Sequence, residues 1–253
     1  MKGKVMLEQW LSKPRLIIAL MQFSALAITS ASAKPIITFT THVEPQSTAY
    51  KFTNLLLTEA FSRIGYKFSM KTLPGKRSLH EANKGVFDGE AHRFSGLNDN
   101  NEFPNLIRVP EIQQVIQNAM FSKRVKNIAM PWQALAKYSV TVPRGSVWLT
   151  AMAKQYAKDV QELSSPVKML NFVKHGRADI ALMSIEAAEL LTSKEFQESG
   201  VKQIGPVLST LAIYTYLHKK HKKLVPKLAF ALHQMKLDGS YQRLIKQSKK
   251  SGE

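Results

Sequence analysis

The stretch from Ile36 to Phe94 decides the fold class of this chain. It opens with the β-branched run IITFT at 36–40, which favours a β-strand. Apolar residues then recur at helical spacing from Ala49 to Ile64, and Gly65 marks the end of that helix. A strand, a helix and a strand are predicted next, at 67–73, 77–84 and 90–94. Strands that alternate with helices in this way predict a mainly parallel α/β sheet.

The alternation continues through the second half of the chain. Ser146 is placed to cap a helix, and Pro166 near a first turn with Gly176 beyond the last turn favours another helix. Strands are predicted at 112–122, 138–142, 179–183 and 208–217. Helices are predicted at 132–136, 146–158, 166–175, 224–237 and 240–247. The α/β pattern therefore extends over almost all of the sequence after residue 34.

The first 33 residues have a different character. Four basic residues stand against one acid, Glu8, over residues 1–15. An apolar run follows at 16–29, and the small residues Ala31 and Ala33 end the segment. This order is typical of a secretory signal peptide, and the apolar run is shorter than the roughly 20 residues that span a bilayer. We therefore expect a cleavable signal peptide at 1–33 and a periplasmic protein, with a membrane anchor as the alternative.

The charge balance is strongly basic. Thirty-six Lys and Arg residues stand against 18 Asp and Glu residues, which gives a formal net charge of +18. Lysine-rich clusters lie at 218–223 and 246–250. They are either a solvated loop and tail or a surface for a polyanion. The chain has no cysteine, so disulfides, thiol nucleophiles and thiolate-bound metals are excluded.

Sequence motifs of enzymes are missing. The chain contains no Gly-x-Ser-x-Gly elbow, no His-Glu-x-x-His pair and no glycine-rich phosphate loop. His218 and His221 are spaced three residues apart, but the four lysines around them oppose a divalent cation. We therefore expect no catalytic residues, no metal and no cofactor.

Four motifs occur in a characteristic order. They are VFDGE at 86–90, FPNLIRV at 103–109, GRADIA at 176–181, and the ending LVPKL with MKLDGSY between 224 and 241. Together they resemble the family 3 extracellular solute-binding proteins, the amino-acid-type binding proteins of ABC importers. The resemblance covers nearly all of residues 34–253.

The resemblance implies a two-lobed type II periplasmic binding fold. Each lobe would be a mainly parallel sheet flanked by helices, and two crossover strands would join the lobes beside a ligand cleft. Lobe 1 would comprise 34–122 plus 214–253, and lobe 2 would comprise 123–213. A monomer is the default for the family. The expected partners are a small-molecule solute and either the membrane subunits of an ABC transporter or a signalling partner, with no specific nucleic acid.

The loop after the strand at 138–142 is one candidate ligand site. The family uses a Gly-Thr or Gly-Ser pair in this loop for the ligand carboxylate, and Gly145 with Ser146 matches it. The free N–H groups of a helix start favour an anion there, and Arg144 could add a charge-assisted hydrogen bond. The alternative is a plain helix cap with Arg144 in solvent.

Three further candidates lie in the first lobe. Arg93 at the end of a strand is placed to clamp an anion, or else it pairs with Glu90 or Glu111 on the surface. Arg77 begins a helix that should line the cleft, where a cation opposes the helix dipole. Tyr50 follows the first strand's loop, and it either covers the ligand or packs locally.

One position departs from the family pattern. Amino-acid binders usually carry an Asp five positions after the Asp of the Gly-Arg-x-Asp motif, and here that position is Ser184. We therefore expect a small polar or anionic solute, amino-acid-like or a carboxylate, captured by hinge closure. Two other functions stay open, namely a basic protein that binds the envelope or polyanions on the same fold, and a secreted enzyme.

Overall fold

The computed structural model describes residues 33–98, 100–126, 128 and 131–250. The predicted signal peptide, apart from its last residue, lies outside the described residues. Residues from Pro35 onward form one compact unit. No helix in the described part combines the length and apolar character needed to cross a bilayer.

The predicted strands and helices appear in the predicted order, and the structure adds short strands at 106–108 and 159–163 and a short helix at 194–197. The strands are β1 (Ile36–Thr41), β2 (Lys67–Thr72), β3 (Gly89–Phe94), β4 (Leu106–Arg108), β5 (Gln114–Ser122), β6 (Ser139–Pro143), β7 (Asp159–Leu163), β8 (Ile180–Ser184) and β9 (Lys202–His218). The helices are α1 (Thr48–Arg63), α2 (Gly75–Asn83), α3 (Pro131–Ala134), α4 (Val147–Tyr156), α5 (Pro166–Lys174), α6 (Lys194–Gln197), α7 (Val225–Leu237) and α8 (Ser240–Lys250). Short 3₁₀ turns occupy 135–137, 187–192 and 219–224.

The strands form one sheet in the order β2-β1-β3-β9-β5-β8-β6-β7, with β4 paired to β9. At one end β1 pairs in parallel with β2 and β3, and at the other β6 pairs in parallel with β7 and β8. Between these parallel groups, β9 runs antiparallel to both β3 and β5. Two parallel α/β groups joined by two long antiparallel strands confirm the predicted fold class.

Strand β9 connects the two groups because of its length. Its 17 residues pair with β5 from Lys202 to Ile213 and with β3 from Ile213 to Leu217. Strand β5 pairs with β9 on one side and with β8 on the other. These are the two crossover strands. The exact limits of the lobes stay a prediction.

Hydrophobic cores lie on both faces of the sheet. Around β1, the rings of Phe39, Phe61 and Phe68 pack against one another between the sheet and α1. Around β8, side chains alternate between faces, as period-two strand geometry requires. Ile180 and Leu182 pack in one core, whereas Ala181 and Met183 pack in the other. A strand buried on both faces is typical of a parallel α/β sheet.

Helix starts differ in how they are capped. The hydroxyl oxygens of Ser47 and Ser165 accept backbone N–H bonds at the starts of α1 and α5, and both residues have ψ near 150°. Ser146 occupies the corresponding position of α4, but its side chain makes no capping bond. Its ψ of 82° departs from the extended backbone of the two capping serines. The prediction that Ser146 caps this helix through its side chain is therefore wrong.

Candidate functional site

Two glycines meet where the two halves of the sheet face each other. Gly75 opens α2, and Gly145 lies between β6 and α4 with a φ of +84°, which favours glycine. A Cβ built on Gly75 would lie 2.5 Å from the Gly145 Cα and 2.8 Å from the Gly145 carbonyl oxygen. The backbones are therefore in direct contact. We call this contact the Gly75–Gly145 junction.

Arg93 binds both sides of the junction. Its side chain, near the end of β3, is only 3% exposed. Nη2 donates to the Gly75 carbonyl at 3.0 Å, and Nη1 donates to the Gly145 carbonyl at 3.3 Å. Nε pairs with Glu90 Oε1 at 3.1 Å. A planar guanidinium suits this task because its donors point in fixed directions.

Glu90 is the counter-ion of Arg93, and it is fully buried. Its Oε2 accepts a hydrogen bond from Thr40 Oγ1 at 2.9 Å and a second from the Ser78 hydroxyl. Burial raises the pKa of the Glu90 carboxyl, while the Arg93 charge and the two hydroxyl donors act in the opposite direction. The carboxylate thus has partners on β1, α2 and β3, and it fixes the position of Arg93.

Two histidines lie beside this pair. The His42 and His92 rings have centroids 6.2 Å apart, directly after β1 and within β3. Burial, followed by the Arg93 charge, lowers the pKa of His92 to about 3. Burial and then Arg93 also lower the pKa of His42 well below its usual value. Both rings are therefore neutral at pH 7. Among the described residues, His42 Nδ1 is sealed from solvent and has no hydrogen-bond partner.

A chain of buried polar side chains leads from His92 to the crossover strands. Thr53 Oγ1 on α1 lies 3.4 Å from His92 Nδ1 and accepts a hydrogen bond from Gln113 Nε2 at 2.8 Å. Thr215 on β9 donates from Oγ1 to Gln113 Oε1 at 3.1 Å. Gln113 immediately precedes β5. The site and the two crossover strands thus share one hydrogen-bonded network.

The buried side chains of the site have no net charge when Glu90 is ionised. The positive Arg93 is balanced by Glu90, and both histidines are neutral. The two charges of a buried, hydrogen-bonded ion pair nearly cancel, so the pair produces only a small electrostatic potential around it. The arrangement can therefore offer hydrogen-bond donors and a neutral imidazole to a polar molecule. It does not form the cluster of unpaired cations that would suit a net anion.

The structure places only some of the predicted loop residues at the junction. Gly145 reaches the junction through its backbone, but the exposed Arg144 side chain donates to the Glu162 carbonyl at 3.4 Å. The structure therefore does not bring Arg144 to Arg93. Ser146 is half-buried beside Gly145.

The other predicted residues lie around the site or away from it. Arg77 is exposed on α2, and it is its neighbour Ser78 that reaches Glu90. Tyr50 is half-buried in the first turn of α1. Ser184 ends β8, where its Oγ accepts the Ala187 N–H at 3.1 Å and closes a turn.

Sequence reasoning missed most of the side chains that surround Arg93. Glu90 was considered as a partner of Arg93 only on the surface, yet the pair is buried. Thr40, His42, Ser78 and His92 were not proposed at all. A usable signal was present in β3, which reads GEAHRF. Three ionisable side chains in a strand that pairs on both sides indicate a built polar site, since such groups are rarely buried without partners.

The described residues contain no group of three or more His, Asp or Glu side chains placed to hold a metal ion. At the junction Arg93 and Glu90 bond to each other, and the histidines there number only two.

Known proteins were compared with this chain by sequence. No family model matches the chain. A protein of Shewanella oneidensis described only as uncharacterised is 30% identical over 233 residues, which cover 89% of this chain and 87% of that protein. The chain belongs to the same family as this Shewanella protein.

Solved structures share the fold at low sequence identity. A histidine kinase sensor domain with similarity to periplasmic binding proteins superposes with a TM-score of 0.69 at 13% identity, covering 85% of this chain and 95% of that one. An ancestral arginine-binding protein bound to arginine superposes with a TM-score of 0.67 at 18% identity, covering 85% of this chain and 98% of that one. A periplasmic binding protein of an arginine transport system from Legionella pneumophila superposes with a TM-score of 0.64 at 17% identity, covering 85% of this chain and 99% of that one. The fold is that of the family 3 solute-binding proteins, as the motifs predict.

Proposed function

We propose that this protein captures a small polar solute at the Gly75–Gly145 junction by closing two lobes around it. Similarity to amino-acid-binding periplasmic proteins and to a sensor domain supports a ligand-binding function. The observation that carries the proposal is Arg93, one buried side chain bonded to carbonyls on both sides of the junction. The lobes are those of the sequence analysis, 34–122 with 214–253 and 123–213.

Arg93 is arranged to exchange partners when the lobes separate. Its Nε is held by Glu90 within the first half of the sheet, and Nη2 is held by Gly75. Only the bond from Nη1 crosses to Gly145. Hinge opening would break that bond and leave Nη1 facing the cleft, where a carboxylate or another oxygen acceptor could replace the carbonyl.

The charge balance favours a solute that is itself neutral overall. A net anion would enter a site whose one buried cation already has a counter-ion, so its desolvation would be poorly compensated. An uncharged polar molecule avoids that penalty, and an amino-acid-like zwitterion reduces it because it carries its own counter-ion. His42 Nδ1, which lacks a partner among the described residues, offers a second contact as donor or acceptor depending on its tautomer.

We further propose a periplasmic location after removal of the signal peptide, with delivery to an ABC transporter or to a signalling partner. The Legionella neighbour belongs to a transport system, and the sensor domain belongs to a histidine kinase. The neighbours named above are binding or sensor proteins. This agrees with the absence of enzyme motifs from the sequence, and we propose that the protein is not an enzyme.

The test is a thermal-shift screen of residues 34–253 against amino acids, neutral polar solutes, dicarboxylates and short peptides. A solute at about 100 times its dissociation constant should stabilise the folded state by about 2.7 kcal/mol. Arg93→Lys should abolish the shift, because an ammonium cannot hold Glu90 and both carbonyls together. The matched control Arg144→Lys should keep it. Absence of any shift from wild-type protein, or equal loss in both variants, would contradict the proposal.

A further inference from the structure

A lysine-rich segment at 218–230 and the turn at 83–88, which carries Lys84, lie side by side at the end of the first half of the sheet. Lys220 Nζ donates to the Gly85 carbonyl at 2.8 Å and pairs with Asp88 Oδ1 at 2.8 Å. His221 Nε2 lies 2.7 Å from the same carboxylate oxygen. The turn at 83–88 and the segment 218–230 therefore form one continuous surface, and the segment runs directly into α7.

This surface is basic beyond what its own acids can balance. The two segments contain one acid, Asp88, which already pairs with Lys220 and His221. Their six lysines are exposed. They are Lys84, Lys219, Lys220, Lys222, Lys223 and Lys227. Burial, followed by the field of Lys220 and Lys219, lowers the pKa of His218.

Large apolar side chains are exposed among these lysines. Val86 is 63% exposed in the turn next to Lys84, and Phe230 is 65% exposed one turn after Lys227 on α7. Leu237, 69% exposed, lies seven residues after Phe230 and hence on the same stripe of the helix. We call the six lysines with Val86 and Phe230 the basic face. A single exposed apolar residue is ordinary, but two large exposed apolar side chains on segments that carry six exposed lysines are not.

The part of the basic face around Asp88 lies at the end of β3 opposite Arg93. Asp88 precedes β3, whereas Arg93 is near its end, five residues and about 16 Å further along the strand. Asp88 Oδ2 also accepts the Thr38 N–H near the start of β1, and His42 follows the end of that strand. A partner on the basic face would therefore leave the junction open to solutes.

We propose that the basic face binds the surface of an anionic lipid bilayer. Lysines near such a surface gain electrostatic attraction, and roughly four to eight clustered lysines suffice for recognition. Phe230 and Val86 can enter the boundary between headgroups and acyl chains, while the long lysine side chains keep their charge at the headgroups. Duplex nucleic acid would attract the lysines through its phosphates but offers no apolar layer to the two exposed side chains. This proposal does not depend on the function of the cleft.

The test is co-sedimentation of residues 34–253, the compact unit with its preceding lysine, with vesicles. Vesicles of phosphatidylcholine with about one third phosphatidylglycerol are compared with pure phosphatidylcholine at low salt. Wild-type protein should bind only the anionic vesicles. The triple change Lys219→Gln, Lys222→Gln and Lys223→Gln should weaken binding at least tenfold, and Phe230→Ser should weaken it several-fold. Lys220 is left in place because it pairs with Asp88.

Matched controls separate the face from total charge. The changes Lys158→Gln, Lys194→Gln and Lys202→Gln remove three exposed lysines elsewhere, and Val115→Ser removes an exposed apolar residue on β5. These variants should bind within twofold of wild type. The proposal is overturned if wild-type protein ignores anionic vesicles, if both triple variants lose binding equally, or if a DNA duplex of equal phosphate concentration binds more tightly through the same lysines.

Discussion

The two halves of the sheet contribute to the junction in different ways. The half that contains β1 and β3 supplies a cation, a carboxylate, two neutral histidines and two hydroxyls, all buried together. The half that contains β6 and β8 is packed with aliphatic side chains on both faces and contributes a backbone carbonyl from Gly145. Under the proposed function, the recognition chemistry would lie in one lobe, and the other would supply a glycine surface that closes against it. Changes in the first half should affect folding strongly, and changes at the glycines should affect closure.

The largest expected effect follows from removing Arg93. Arg93→Ala leaves the buried Glu90 carboxylate without its counter-ion, which should lower the free energy of unfolding by about 3–5 kcal/mol. Urea unfolding measures this. Arg144→Ala, which removes an exposed guanidinium from the other half, should change it by less than about 0.5 kcal/mol. Equal losses in the two variants would show that the Arg93–Glu90 pair has no special structural role.

The next effect concerns acid stability. His92 is neutral in the folded protein with a pKa of about 3, and the usual value near 6.5 applies to the unfolded chain. The unfolded state therefore binds more protons below about pH 6.5, so the stabilisation is complete above that pH and is lost as pH falls towards 3. Between about pH 6 and 4 the free energy of unfolding should fall by roughly 1.4 kcal/mol per pH unit from this residue.

His92→Gln should reduce the measured slope by this amount in urea titrations at successive pH values, and the remaining slope comes from His42, whose pKa is also lowered. The control His175→Gln, at an exposed position on the other half, should retain it. An unchanged slope in His92→Gln would mean that His92 is not the buried neutral group described above.

Closure is tested at Gly75. A methyl group there would meet the Gly145 backbone, so Gly75→Ala should hold the lobes apart and weaken solute binding by at least tenfold. With solute present, small-angle scattering should give Gly75→Ala a larger radius of gyration than wild-type protein. Gly239→Ala is the control, because Gly239 has a φ of +80° but nothing within 4 Å. It should lower stability by about 1 kcal/mol and leave binding unchanged. Unimpaired binding by Gly75→Ala would exclude the junction from the closure movement.

The smallest effect is expected in the network that reaches the crossover strands. Thr215→Val removes the donor to Gln113 Oε1 and should lower the free energy of unfolding by about 1–2 kcal/mol. Thr210→Val changes an exposed residue of the same strand and should be nearly neutral. If both variants unfold alike, the polar chain from His92 to β9 makes no net contribution.

Most of the fold could be predicted from the sequence because buried and amphipathic helices and strands have a regular spacing of apolar residues. Strand β1, helix α1 and strand β8 all appear within one or two residues of their predicted limits. Strand β7 was missed because DVQEL is polar and pairs only with β6 at the edge of the sheet. The first six residues of β9 were missed because Gly205 and Pro206 usually break strands.

The site was predicted less well for a physical reason. Arg93 was proposed from its position at a strand end, but its environment depends on contacts between residues far apart in sequence. Gly75 and Gly145 are 70 positions apart, and Thr40 and Glu90 are 50 apart. Helical or strand periodicity cannot predict such meetings. Arg144 was proposed because it is adjacent to Gly145. Only the backbone of that loop reaches the junction, and the Arg144 side chain bonds to the Glu162 carbonyl instead.

The most direct test of the account is a crystal structure of residues 34–253 with the solute that gives the largest thermal shift. The account predicts a solute oxygen within hydrogen-bonding distance of Arg93 Nη1, in place of the Gly145 carbonyl, with Glu90 still bonded to Arg93 Nε. A solute bound elsewhere, with the bond between Arg93 and Gly145 intact, would contradict it.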